Sequence, residues 1–135
     1  MLQELNQTFT EEQKKDNLRL AIKALRENPK KAMHIMQDNA GGRCCLCVMA
    51  HVAEDIMGYE RDELCGIMTP RFDMSAVFGT RAMQPIGNFV GDPTNVVIGG
   101  VVASRYNDGD SYRDGLKPLS HAEIADMLEK EYLTD

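Results

Sequence analysis

The sequence predicts a mostly helical α+β protein, with three to five helices and a small β-hairpin or short sheet. Two segments begin with a capping box and continue with apolar residues at helical spacing, and a third is apolar until a glycine ends it. A β-branched run at 96–98 lies among glycines and prolines and is the clearest strand signal. The chain has 135 residues, the size of one domain, so we expect a single domain, 1–135.

The first helix is predicted from about residue 10 to residue 27. Thr10 and Gln13 have the spacing of a capping box, in which two side chains bind otherwise unpaired backbone N–H groups. Asn28 precedes a proline and should end the helix, because that position is pushed out of the helical region. The apolar positions follow at i, i+3, i+4 and i+7: Leu18, Ala21, Ile22 and Leu25.

The next segment, 31–37, is short and apolar and predicts a strand, followed by a sharp turn at 38–42. A second helix is predicted over 43–57. No helix breaker occurs in it before Gly58, which suits a helix C-terminus. This second helix is the densest apolar segment of the chain.

The middle of the chain is broken up by glycine and proline, and short helices are predicted near 60–64 and 75–83. For 99–106 we favour a helix, with continuation of the strand at 96–98 as the alternative. The polar, glycine-rich stretch 107–118 predicts a surface loop. A last helix should begin at the capping box of Ser120 and Glu123 and continue to Tyr132, with His121 at the surface.

Charge and composition argue against several partners. The net charge is −6 and the basic residues are scattered, whereas binding to a nucleic-acid backbone needs a basic patch. Residues 119–128 are similar to the first helix of a helix-turn-helix, but no recognition helix follows. The chain has no apolar run of about 20 residues and no signal-peptide pattern. We therefore expect a cytoplasmic protein that binds neither nucleic acid nor membrane.

Three of the four cysteines lie at the start of the second helix. Because the sequence has no export signal, we expect all four cysteines to be reduced. Cys44, Cys47 and His51 share one face of that helix. Another face should belong to the core and comprises Cys45, Val48, Met49, Val52 and Ile56. Free cysteines are commonly buried, so thiols packed in the core are the favoured interpretation, with no metal and no cofactor.

Two chemical alternatives stay open. A metal site would be zinc held by Cys44, Cys47, His51 and Cys65, because thiolates and imidazoles are the ligands that zinc prefers.

A thiol-dependent enzyme is the other alternative. It would use Cys44 or Cys45 as the nucleophile, because the helix N-terminus and a neighbouring cation favour the thiolate. His34 or His51 would be its base.

Three pieces of the sequence carry a resemblance: Ala24-Leu25-Arg26, Arg43-Cys44-Cys45-Leu46-x-Val48, and Asn107-Asp108 followed by Ser120-x-Ala122-Glu123-Ile124-Ala125-Asp126. In this order the chain resembles a group of small uncharacterised bacteriophage and prophage proteins with a Cys-Cys-Leu-Gly-Val segment and a C-terminal Asn-Asp…Ser-x-x-Glu-Ile-Ala-Asp helix. Here Cys47 replaces a glycine of that group, and Ala50-His51 replace a frequent Cys-Asp. A site built on Cys47 and His51 would therefore occur in this chain and be absent from the other proteins of that group.

The resemblance implies a phage-encoded protein in the cytoplasm of an infected bacterium, and it implies no activity or cofactor. We expect a non-enzymatic accessory protein that binds a host or phage protein, or sequesters a small ligand, during infection. An acidic surface suits a basic partner, and a homo-oligomer is common for a short chain. Arg43, Asn107 and Asp108 are the candidate ligand-binding residues. A thiol-dependent enzyme and a small structural zinc domain are the alternatives.

Overall fold

A computed structural model describes residues 4–28, 42–65, 71–79, 83–85, 94–98, 101–102 and 119–133. The described part contains four helices: α1 (Glu11–Glu27), α2 (Cys45–Met57), α3 (Met74–Phe78) and α4 (His121–Tyr132). It also contains three short strands: β1 (Met83–Pro85), β2 (Thr94–Ile98) and β3 (Val101–Val102). The central strand β2 pairs antiparallel with β1 and with β3. The prediction of a mostly helical protein is confirmed.

The first helix begins and ends where the sequence predicts. The Gln13 backbone N–H donates to Thr10 Oγ1 at 3.2 Å, and the Thr10 N–H donates to Gln13 Oε1 at 2.9 Å. Asn28 is the C-cap. The four predicted apolar positions, Leu18, Ala21, Ile22 and Leu25, are buried, so local signals alone specify this helix and its inner face.

The last helix, α4, follows the same plan. Its capping box joins Ser120 and Glu123 through two hydrogen bonds of 3.0 and 3.2 Å. Ile124, Ala125 and Leu128 are buried. The surface position predicted for His121 is wrong, because its Nδ1 lies 2.6 Å from the Asn28 carbonyl oxygen and the side chain is buried against the end of α1.

Charged side chains join α1 and α4 on the outside of this helix pair. The Arg26 guanidinium donates to Asp126 at 2.8 Å and to Glu129 at 3.2 Å. These two hydrogen bonds hold the pKa of Arg26 above its usual value. These ion pairs are exposed, so they add little stability.

The second helix, α2, is buried on nearly all sides. It begins at Cys45, with Cys44 as its N-cap, which is later than the predicted start at residue 43. Gly58 ends it with a φ of +74°, as predicted, because that left-handed conformation suits a residue without a side chain. Of the predicted aliphatic face, Val52 and Ile56 are only partly buried.

Two polar side chains of α2 are more deeply buried than those two apolar ones. They are His51 and Glu54, with 5% and 2% of their surface exposed.

Two predictions for the middle of the chain are wrong. The helix near 60–64 is replaced by turns, because Asp62 takes a φ of +72° that a right-handed helix cannot contain. The helix favoured for 99–106 is also absent at Val101–Val102, which form β3. Their β-branched side chains favour the strand. The strand expected at 31–37 and the loop at 107–118 lie outside the described residues.

The short helix α3 is shorter than predicted and packs against α1. Gly79 ends it with a φ of +62°, and a side-chain carbon on this glycine would lie 2.8 Å from Lys14 Cβ. Asn17, a buried residue of α1, donates to the Val77 carbonyl at 3.0 Å.

None of the helices in the part of the chain that the structure describes is long and apolar enough to cross a membrane.

Candidate metal centre

Three potential metal ligands meet between α2 and the segment that follows it. The sulfur atoms of Cys47 and Cys65 and a ring nitrogen of His51 all lie within 4.8 Å of one another. Cys47 Sγ is 3.8 Å from His51 Nε2. All three side chains are buried, with 0%, 4% and 5% of their surface exposed. The cluster therefore lies inside the protein, at the edge of the core.

The local sequence explains why these three groups converge. Cys47 and His51 are four residues apart on α2 and so occupy the same face of the helix. After Gly58 the chain turns back, and the Tyr59 N–H donates to the Glu54 carbonyl at 3.0 Å. The Leu64 N–H then donates to Glu54 Oε2 at 2.9 Å. This bond fixes residue 64 beside α2 and brings the next residue, a cysteine, to the cluster.

The structure joins Cys47 and Cys65 by a disulfide, which differs from the reduced thiols that the sequence led us to expect. Their Cα atoms are 5.5 Å apart, within the usual range for disulfides. Cys44 and Cys45 are outside any disulfide. A tetrahedral zinc ion would hold two thiolate sulfurs about 3.8 Å apart, so the disulfide must open before both sulfurs bind a metal.

Two carboxylates lie beside the imidazole of this cluster. Asp62 Oδ1 lies 2.8 Å from His51 Nε2, and Glu54 Oε1 lies 3.8 Å from the same nitrogen. Glu54 is fully buried, and its Oε1 has no hydrogen-bond partner in the described part of the chain. Such a carboxylate is costly without a nearby cation. The arrangement therefore favours a positive charge at the centre of the cluster.

The two ring nitrogens of His51 have different surroundings. Nε2 is the ring nitrogen that faces Cys47 and Asp62, whereas Nδ1 is buried with no hydrogen-bond partner among the described residues. Nε2 is thus the atom that would bind a metal. Asp62 reaches it from a left-handed backbone conformation, which aspartate tolerates better than most residues.

The predicted zinc ligands are brought together in part. Cys47, His51 and Cys65 converge, but Cys44 caps the helix, and its Sγ accepts from the Cys47 N–H at 3.4 Å. Asp62 is the group that sequence reasoning missed. Two residues separate Asp62 from Cys65, which is a common spacing of zinc ligands. This spacing is the feature of the sequence that could have identified Asp62 as a candidate ligand.

The proposed nucleophiles are not placed beside a base on α2. Cys44 and His51 are seven positions apart, a rise of about 10 Å along a helix. Cys45 is completely buried. His34, the other candidate base, lies outside the described residues.

The candidate ligand-binding residues do not form one site in the described chain. Arg43 is half-buried, and its Nε has no hydrogen-bond partner among the described residues. Asn107 and Asp108 lie outside the described residues.

Comparisons with protein-family models, with curated proteins and with solved structures found no match. The resemblance to phage proteins therefore stays a prediction. The geometry of the cluster is the basis for a functional proposal.

Proposed function

We propose that this chain is a small zinc-binding domain in which the metal holds residues 59–65 against α2. The observation that carries the proposal is the convergence of three buried ligand groups, from Cys47, His51 and Cys65. Two of them come from one helical face and the third from a separate segment, so a bound metal would cross-link the fold.

The donor set selects zinc over other common ions. Two thiolates and an imidazole are ligands of a borderline-soft cation, whereas magnesium and calcium prefer oxygen ligands. Asp62 offers an oxygen beside this group, 2.8 Å from His51 Nε2. Zinc also accepts a carboxylate as its fourth ligand in a tetrahedral site.

A structural role is favoured over a catalytic one. Structural zinc sites have four protein ligands, whereas catalytic sites keep one position open for water or substrate. Three of the ligands here are buried, and Asp62, whose half-exposed side chain contacts His51, would fill the fourth position by rotating toward the metal. The domain would then act through its folded surface.

The biological setting that we propose is the one expected from the sequence. A zinc-stabilised accessory protein in an infected bacterium, binding a host or phage protein, agrees with the resemblance and with the net charge of −6. In this proposal a zinc centre replaces the expectation of no metal. The acidic charge of the chain favours a basic partner protein.

The test is metal content of protein purified in reductant. We expect about one zinc per chain, and less than about a tenth of an equivalent in Cys65→Ser or His51→Gln, because a structural site needs all its ligands. Cobalt substitution should give the visible absorption of a tetrahedral thiolate complex. Far-UV circular dichroism of each variant separates loss of metal from loss of the fold.

A matched control is available on the same helix. Cys44→Ser removes a neighbouring thiol but keeps the cap, since serine is a preferred N-cap residue. It should bind zinc as the wild type does. The proposal is wrong if the reduced wild type stays metal-free in added zinc, or if Cys44→Ser loses zinc as completely as Cys65→Ser.

A further inference from the structure

We infer that Cys47 and Cys65 form a redox switch that retains zinc as two thiolates and releases it when hydrogen peroxide converts them to a disulfide. This inference rests on the proposed zinc function. Its basis is that the same two sulfur atoms belong both to the metal-ligand group and to the disulfide. A sulfur in a disulfide carries no thiolate charge, so the two states exclude each other.

The backbone is already placed for oxidation. The Cα atoms of the two cysteines are 5.5 Å apart, which a disulfide accepts without movement of the chain. Cys47 is fixed in the first turn of α2, and Cys65 is fixed by the hydrogen bond from the neighbouring Leu64 N–H to Glu54. Only the two side chains need to rotate between the reduced and oxidised states.

The remaining ligands do not retain zinc after oxidation. His51 and Asp62 supply one nitrogen and one oxygen, whereas a structural site needs four ligands. They also have an alternative partner in each other, because Nε2 and Oδ1 are 2.8 Å apart. The oxidised state is thus held by a covalent bond and an imidazole–carboxylate contact, and the reduced state by the metal.

The chemistry balances with hydrogen peroxide as the oxidant. The Cys65 thiolate, the more exposed of the two at 4% against 0%, attacks one peroxide oxygen, and the O–O bond breaks. The leaving hydroxide takes a proton to become water, and Cys65 becomes a sulfenic acid. The Cys47 thiolate then attacks the Cys65 sulfur and displaces a second hydroxide. Two thiolates lose two electrons in all, peroxide gains them, and Zn²⁺ leaves for solvent.

The experiment follows zinc and sulfur in the same samples. Zinc-loaded, reduced wild type is treated with peroxide while a chromogenic chelator reports released zinc, and aliquots are mapped for disulfides. We expect about one zinc released for each Cys47–Cys65 disulfide formed, and rebinding after a dithiol reductant and zinc are added. A Cys44→Ser/Cys45→Ala double variant should release zinc at the wild-type rate.

A second variant separates the metal from the redox pair. Asp62→Asn keeps the size of the side chain and tolerates the left-handed backbone, but it removes the anionic ligand. It should bind zinc at least about tenfold more weakly and still form the Cys47–Cys65 disulfide.

The outcomes distinguish the two proposals. Reduced wild type that binds no zinc refutes the zinc domain and, with it, the switch. Zinc that stays bound after the disulfide forms refutes the switch alone. So does zinc release that accompanies a disulfide to Cys44 or Cys45, or overoxidation, instead of the Cys47–Cys65 bond.

Discussion

The helix pair α1 and α4 and the region formed by α2 with residues 59–65 are organised differently. Each helix of the pair has one apolar face, a capping box and an exposed polar face. The helix α2 is buried nearly all round, and two of its buried side chains are polar. The pair is stabilised by many small and independent contributions, whereas the α2 region depends on a few groups that must be satisfied together.

The largest expected effect on the free energy of unfolding tests whether the helix pair α1 and α4 is independent of the α2 region. Leu128 is fully buried on α4, and Leu128→Ala should lower the free energy of unfolding by about 3 kcal/mol through lost burial and a cavity. Urea unfolding in reductant with zinc, and again with a chelator, should give the same loss. Met127→Ala, at a partly buried neighbour, is the control and should cost clearly less. A loss that depends on zinc would show that the two regions are coupled.

The next effect tests the polar network of the α2 region. Glu54→Ala leaves the buried Leu64 N–H without its acceptor and should cost about 2 kcal/mol. It should also weaken zinc binding in a chelator competition, because residue 64 is no longer fixed beside the cluster. The exposed neighbour Asp55 offers a control, and Asp55→Ala should stay within about 0.5 kcal/mol of wild type. Wild-type stability in Glu54→Ala would contradict this account of the network.

The smallest effect concerns the caps. Ser120→Ala removes the side-chain acceptor at the start of α4 and should cost about 1 kcal/mol in thermal or urea unfolding. Ser120→Asp should retain most of that stability, since aspartate is also a good N-cap. Zinc content should not change in either variant. A change in zinc content would mean that α4 helps to hold the metal site.

The two regions also differ in how well the sequence predicts them. Capping boxes and apolar spacing are local, so both ends of α1 and the start of α4 could be placed from a few neighbouring residues. For 99–106 the sequence was compatible with either a helix or a continuation of the strand. At Val101–Val102 the β-branched side chains and the pairing with β2 favoured the strand.

The candidate site was predicted in part for the same reason. Cys47 and His51 share a helical face, which the sequence states directly. The position of Asp62 depends on a backbone angle, φ +72°, in a segment predicted to be helical. The role of Cys44 as a cap depends on the helix starting at Cys45, and cysteine is not among the preferred cap residues.

The contact of Arg26 with Asp126 joins residues 100 positions apart in the chain. During synthesis at about 5 to 20 residues per second, α1 leaves the ribosome some seconds before α4 is made. The part of α1 that packs against α4 must wait for that partner, whereas α2 and α3, which also contact α1, are made earlier. Closing so long a loop slows folding. The two helices that are easiest to recognise in the sequence therefore pair with each other late.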